Sequence, residues 1–166
     1  MNTSPRFRIG FGYDVHPLKA GCRFMLGGIE IPHTQGAAGH SDADTLIHAI
    51  CDALLGAAKA GDIGVLFPDN DPQYRGIDSK ILLARTVAVI RDKGYAIGNI
   101  DTTVCLQAPK IRPYIPQMTR VLAEVMQIPE EDLSIKATTT ERLGFVGREE
   151  GVAAYATVLL TTTESD

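Results

Sequence analysis

Residues 152–160, VAAYATVLL, carry apolar side chains at almost every position, on both faces of an extended chain. A strand of this kind must be covered on two sides, by a helix on one and by a second subunit on the other. The chain supplies helices. Leu46, Ile47, Ile50, Leu54, Leu55 and Ala58 recur with helical spacing; Ser41 with Asp44 three residues on resembles a capping box that opens this helix, and Gly61 closes it. Asp44, His48 and Asp52 fall at i, i+4 and i+8, a polar stripe off the apolar face. A second helix is expected from Asp78 or Ser79 to Lys93, closed by Gly94, and a third from Pro116 to Gln127. Strands are expected from Arg6 to about Val15, from Ile100 to Leu106 and from Leu133 to Thr138, with a hairpin in CRFMLGGIEIP turning at Gly27 and Gly28. HTQGAAGH, 33–40, reads as a mobile loop, DIGVLFPDNDPQYRG, 62–76, as a turn-rich acidic segment, and APKIRP as a loop. The expectation is a fold of the α/β (α+β) class, one domain over 1–166, with a mixed β-sheet packed on helices in an oligomer. The 166 residues suit one core, and no repeat, linker or low-complexity stretch interrupts them.

Composition narrows the ligands. Hydrophobic residues at 45% and charged residues at 22% describe a compact globular chain. A net charge of -4 without any basic run argues against nucleic acid, which is held mainly by clustered Lys and Arg. A phosphate-bearing ligand would have to be neutralised locally, by a metal, backbone N–H groups or a few side chains. Cys22, Cys51 and Cys105 form no CxxC pair, so neither a disulfide framework nor a cysteine zinc site is expected, and a reducing compartment fits best. MNTSPRFRIG has no apolar run behind its arginines and no segment approaches the roughly 18 apolar residues of a span. A cytoplasmic protein without a membrane partner is expected.

Three segments carry chemistry. In GFGYDVH, 10–16, the two glycines suggest a nucleotide loop, but the third glycine of that fingerprint is replaced by Val15 and Pro17 follows where a helix should open. Asp14 and His16, two apart on a strand, point to one face; with His48 from the helix they make a three-ligand set whose fourth position stays open, the pattern of a catalytic zinc. A lone D-x-H is common, and a helix histidine is as readily a surface residue. Cys51, at i+3 from His48, lies within the apolar stripe and is a core residue first; Asp44 or Asp52 can orient His48. In KATTTERLGFVGREEG, 136–151, Thr138, Thr139 and Thr140 offer hydroxyls, Glu141 a hard carboxylate, Gly144 and Gly147 close backbone and Arg148 a fork, together a polyphosphate end or else a threonine-rich strand entering a turn with an exposed ion pair. FPDNDP, 67–72, begins like a calcium loop, yet Tyr74 stands where that loop needs glycine, leaving a turn whose groups can also hold a polyol.

With RIGFGYDVH, GGIEIP, GHSDADTLIHAICDALLGAAKAGDIGVLFPDNDP, NIDTTVCLQAPKIRPYIPQM and IKATTTERLGFVGREEG in this order, the chain resembles the 2-C-methyl-D-erythritol 2,4-cyclodiphosphate synthases, cyclases of the non-mevalonate isoprenoid pathway. The resemblance implies a homotrimer with the sheets facing the trimer core and active sites between subunits. It implies a phosphorus–oxygen lyase reaction that turns a cytidine diphosphate-linked substrate, 4-diphosphocytidyl-2-C-methyl-D-erythritol 2-phosphate, into a cyclic diphosphate and CMP. Carried over by motif, Asp14, His16 and His48 hold Zn2+, and Glu141 holds a second divalent ion, Mg2+ or Mn2+, on the diphosphate. His40 and Thr139 are implied as catalytic stabilisers, with Ser41 beside them on the phosphates. Asp62, Ile63 and Gly64 would meet the ribose; Phe67, Pro68, Asp69, Asn70 and Asp71 the methylerythritol; Leu106, Gln107, Ala108, Pro109, Lys110, Ile111 and Arg112 the cytosine. Val15, Thr138, Thr140, Phe145 and Arg148 complete the implied substrate contacts. Ala43 and Glu149 stand where many relatives have glycine, and Ile111 and Arg112 differ from some. Tyr155 stands where some members use an acid near the trimer axis, which argues against a prenyl diphosphate bound there with Arg148. Two other readings use the same residues: a mononuclear zinc phosphohydrolase, and a non-catalytic isoprenoid-binding or scaffold trimer.

Overall fold

The computed structural model describes residues 7–163. Its main sheet has five strands in the order β4-β1-β7-β5-β6, where β1 is Phe7–Ala20, β4 Gln35–Ala37, β5 Tyr95–Cys105, β6 Leu133–Thr138 and β7 Gly151–Thr162. β5 and β6 run parallel and the other neighbours antiparallel, so the sheet is mixed as expected. β2 (Met25–Leu26) and β3 (Ile29–Glu30) form the small hairpin around Gly27 and Gly28. Three long helices, α1 (Thr45–Ala57), α3 (Ser79–Asp92) and α4 (Ile115–Met126), cover one face; α2 (Ile63–Leu66) and α5 (Gly144–Gly147) are single turns. β6 and the start of α3 fall where the sequence places them, while the Arg6 that was to open the first strand lies outside the described residues. No described helix is long and apolar enough to cross a membrane.

The core forms between the sheet and α1. Val152, Ala154, Ala156, Val158 and Leu160 of β7 are buried, with Leu46, Ile47, Ile50 and Leu54 of α1. Phe24, Leu26 and Ile31 from the hairpin region are tucked into the same cluster. On β1, glycine occupies the helix-facing positions because α1 leaves no room for anything larger. A Cβ on Gly10 would lie 1.9 Å from the Ala53 carbonyl oxygen, and one on Gly12 1.9 Å from that of Ala49. The glycines of GFG thus serve helix packing, not a nucleotide.

Three local expectations change. α1 begins at Thr45, capped by Asp44, whose carboxylate accepts from the Ile47 N–H; Ser41 lies outside the helix, and Ala58, not Gly61, is its C-cap. The stripe Asp44–His48–Asp52 is not solvated: Asp44 is wholly buried, where its oxygens also accept from the N–H groups of Gly27 and Gly28 and so tie the hairpin to the helix. HTQGAAGH contains β4, which finds unpaired groups at the β1 edge and pairs Leu18 with Ala37. The helix expected over one side of β7 is α1, and on the strand's outward side Gly151 and Ala153 are also buried. That outward side, with Tyr155 and Thr157, continues into the exposed β1 residues Phe7, Ile9, Phe11, Tyr13 and Val15, which are 41–67% exposed.

Candidate active site

Beyond Gly10 and Gly12 on the helix-facing side of β1 come Asp14 and His16, and the first turns of α1 bring His48 over them. Asp14 Oδ2 lies 3.0 Å from His16 Nε2 and 3.2 Å from His48 Nδ1, and the two ring nitrogens are 3.1 Å apart. Hydrogen bonds cannot satisfy this triangle. Each ring nitrogen carries at most one proton and the carboxylate only accepts, so three edges have at most two donors. If both imidazoles donate to Asp14, their N–H groups face each other. A cation at the centre resolves the conflict: with ligand bonds of about 2.0–2.1 Å, a tetrahedral zinc spaces its ligands about 3.3 Å apart. The three donor atoms all lie within 4.8 Å of one another, and the donor set fits a divalent metal.

The electrostatics agree. Burial would push the Asp14 carboxyl up, but the two imidazoles bonded to it outweigh burial and hold it below the usual carboxylate range. Burial likewise works against charge on His48, and the hydrogen bond and charge of Asp14 more than offset it. Cys51 is no competing ligand: wholly buried in the core, its thiol is pushed up to about 12. Neither Asp44 nor Asp52 orients His48. Asp44 is spent on backbone donors, and Asp52 accepts from the Ile63 N–H at 2.7 Å, which fixes the start of α2. His48 Nε2 instead meets Ser41 Oγ at 3.1 Å and Ser79 Oγ at 3.0 Å.

Two concavities divide the remaining expected residues. The first, about 380 Å³, is floored by His16 and His48 and walled by His40, Ser41, Ile63, Gly64, Phe67 and Asp69, with Tyr74 and Leu82. The second, about 260 Å³, gathers Leu106, Gln107, Pro109, Lys110, Ile111 and Arg112 with Thr138 and Thr139. His40 is exposed at the rim of the first, its Nε2 3.4 Å from the Asp71 carbonyl oxygen. The carboxylates of Asp62 and Asp71 cap their own turns, accepting from the N–H groups of Val65 and Gln73. Pro68, Asn70, Ala108 and Thr140 line neither hollow. Val15 lies on the open sheet face, away from the cleft. Glu141 has left-handed backbone, φ 53°, and its carboxylate receives the Thr139 hydroxyl at 3.5 Å. Phe145 packs near Gly151, and the Arg148 fork is taken by Glu150 through two 3.0 Å contacts. Ala43 and Glu149 both have left-handed backbone, φ 58° and 60°, a conformation that favours glycine. Sequence reasoning missed Tyr74 and Leu82, which only the fold brings to the cleft, and the pair Asp42–Ser79, which it sets behind His48, although Asp42 sits inside HSDAD.

Known proteins resemble this chain in sequence and fold. A Porphyromonas gingivalis protein named 2-C-methyl-D-erythritol 2,4-cyclodiphosphate synthase is 62% identical over 154 residues, 93% of this chain and 95% of its own. Among solved structures, the bifunctional IspDF of Campylobacter jejuni superposes with a TM-score of 0.92 at 39% identity over 95% of this chain, which spans 43% of that longer protein. A CDP complex of Plasmodium falciparum IspF superposes with a TM-score of 0.86 at 34% identity, covering 98% of this chain and 100% of the other. The model of the YgbB family matches residues 7–161, from the first described strand to the last, and on that match the chain belongs to the YgbB family.

Proposed function

We propose that the chain is a cyclase that converts 4-diphosphocytidyl-2-C-methyl-D-erythritol 2-phosphate to 2-C-methyl-D-erythritol 2,4-cyclodiphosphate with release of CMP, in the non-mevalonate route to isoprenoid precursors. The observation that carries this reading is the convergence of Asp14, His16 and His48 on the cleft floor, in a chain with 62% identity to a synthase of that name. The nucleophile is the substrate's own 2-phosphate. The chain therefore needs no activated serine or cysteine, and its one fully buried thiol is held neutral. Asp14, His16 and His48 would hold Zn2+, and Glu141 a Mg2+ or Mn2+ ion; such cations supply the positive charge on phosphate oxygens that a protein of net charge -4 lacks. His40, at the rim, and Thr139 are assigned to the phosphates, with Ser41 beside them. The ribose and methylerythritol fall to the first concavity and the cytosine to the second. What the chain contributes is mostly placement of one phosphate against another, which also disfavours attack by water.

The reading includes a homotrimer with active sites between subunits. Two observations support it: the metal and cytosine hollows are separate within one chain, and an apolar sheet face, with Phe11 and Ile9 each more than 60% exposed, has no cover. On that face Tyr155 packs tilted against Tyr13 at 5.0 Å, and Tyr155 in place of an acid argues against a prenyl diphosphate bound there with Arg148, which is paired with Glu150. Three free cysteines suit a reducing, cytoplasmic setting, and the negative charge suits neither nucleic acid nor a membrane surface as partner.

Mass analysis of the products from 4-diphosphocytidyl-2-C-methyl-D-erythritol 2-phosphate tests the chemistry. The expected products are CMP and the cyclic diphosphate. Inorganic phosphate or a linear diphosphate instead would favour a zinc phosphohydrolase, and no turnover by zinc-loaded protein would favour a scaffold. Zinc content and native mass, expected at one zinc per chain in a trimer, test the centre and the assembly.

A further inference from the structure

The far side of His48 is built as carefully as the side facing Asp14. Ser79, the first residue of α3, is wholly buried, and its hydroxyl lies between His48 Nε2 and the Asp42 carboxylate. Asp42 receives three donors: the Ser79 hydroxyl, the Ser79 N–H at 3.0 Å and the Asp44 N–H at 3.2 Å. The Ser79 hydroxyl has one proton, and its closer contact, with a carboxylate that only accepts, takes it. Toward His48 the serine oxygen can then only accept. Ser41 Oγ, the other neighbour of Nε2, accepts from the Ala43 N–H at 3.2 Å and can still either donate to or accept from the ring, so the Ser79 contact decides. A proton on Nε2 is what the Ser79 oxygen can pair with, and that tautomer leaves Nδ1 with its lone pair aimed at Asp14 and His16.

The same pair spans two segments that line the cleft. The Asp42 N–H donates to the Ile77 carbonyl at 3.1 Å and the Gly76 N–H to the His40 carbonyl at 2.8 Å. Together with the Asp42–Ser79 bonds, these staple the turn carrying His40 and Ser41 to the start of α3.

We propose that Asp42 and Ser79 are positioning residues for the metal centre: acting through the Ser79 hydroxyl, they fix the tautomer and ring orientation of His48, while their backbone staple sets the rim that carries His40. The inference rests on the reading of His48 as a metal ligand. Partners that hold the free nitrogen of a ligating histidine typically contribute about 10–100-fold to metal affinity.

The test is zinc affinity, measured by competition with a chromophoric chelator, for the wild-type protein, Ser79→Ala and Asp42→Asn, together with hydrogen exchange of the His48 Nε2–H in the zinc-loaded protein by nitrogen-edited NMR. Each variant is expected to bind zinc about 10–100-fold more weakly, and in Ser79→Ala the Nε2–H is expected to exchange much faster. A purely structural serine would lower the melting temperature of metal-free protein and leave both readouts unmoved. Wild-type affinity and wild-type exchange in a folded Ser79→Ala protein would overturn the inference while leaving the metal centre intact. A wild-type protein that binds no zinc would overturn the metal reading and the inference with it.

Discussion

Replacing Gly12 by alanine should damage stability and metal binding together, because one close approach sets both. The new Cβ would sit 1.9 Å from the Ala49 carbonyl oxygen, 2.7 Å from the Ala53 nitrogen and 3.0 Å from the Ala49 carbonyl carbon. All three are backbone atoms of α1, so no side chain can swing aside; helix and strand must separate by about 1.5 Å to bring the 1.9 Å approach to ordinary contact. Overpacking of this kind costs about 1–3 kcal/mol, and the backbone origin of the clash places Gly12→Ala near the upper end. For a chain of this size that is a fall of roughly 6–12 °C in melting temperature. His48 precedes Ala49, so the same separation pulls Nδ1 from Asp14 and His16. The two edges from His48, now 3.1 and 3.2 Å, would open toward roughly 4.5 Å, too wide for a tetrahedral zinc with edges of about 3.3 Å. Thermal unfolding followed by circular dichroism, with and without zinc, reads both effects. Zinc at 100 times its dissociation constant should stabilise the wild-type protein by about 2.7 kcal/mol, and the variant by much less. Gly56→Ala is the control on the same helix: its Cβ meets nothing within 4 Å, so it should gain about 0.5–1 kcal/mol and keep the full zinc increment. A Gly12→Ala protein that melts with the wild type and retains that increment would refute the claim that helix–strand contact sets the metal geometry.

Further outcomes follow from other parts of the structure. Glu149→Gly should stabilise the protein by about 1 kcal/mol in a chemical unfolding experiment, since an exposed glutamate at φ 60° bears left-handed strain that glycine does not. Cys51 has a folded value of about 12 against an ordinary 9.0, so its contribution is complete below pH 9.0 and is lost as the pH rises from there toward about 12. Between those limits the stability difference between wild type and Cys51→Ala should change by about 1.4 kcal/mol per pH unit; parallel pH profiles would contradict it. Phe11→Glu, placing a charge on the uncovered sheet face, should turn the proposed trimer into monomer in sedimentation analysis and abolish turnover, and an active trimer would remove that face from the interface.

The parts of the fold that follow a local rule were legible in the sequence. Leu133–Thr138 pairs as the strand its bounds describe, Asp78 caps α3 through the Lys80 N–H, and Gly27 and Gly28 turn the hairpin. Reading failed where tertiary contact decided the outcome. Gln35–Ala37 has no strand periodicity, yet β1 offers it an edge. Asp44 looks solvated by its helical phase, yet three backbone N–H groups in two segments make burial of its carboxylate tolerable. In the centre itself, Asp14 and His16 could be paired because strand alternation is a rule of two, and His48 joined them through the surrounding motifs. Asp42 and Ser79 could not be paired, because 37 residues separate them and neither alone signals a hydrogen bond to an imidazole.

The helix-facing positions of β1 run Gly10, Gly12, Asp14, His16, and the facing residues of α1 include Ala57, Ala53 and Ala49, with His48 next in line. Small residues on both sides let backbone meet backbone, and the metal ligands begin where that contact ends. Their spacing is therefore inherited from a helix–strand distance that no rotamer can adjust, a stiffer reference than packing between long side chains. The opposite positions of the same strand, Phe7, Ile9, Phe11, Tyr13 and Val15, are those left exposed. In the proposed assembly, alternation along one strand would couple the interface to the metal centre: a neighbour pressing on the aromatic face would bear, through a single layer of backbone, on the carboxylate and imidazole that can hold an ion. On this account dissociation of the proposed trimer should weaken zinc binding although Asp14, His16 and His48 all belong to one chain, and Phe11→Glu monomers, assayed by chelator competition, should bind zinc more weakly than the proposed trimer. Equal affinity would show that β1 holds its ligands in place without help from the interface.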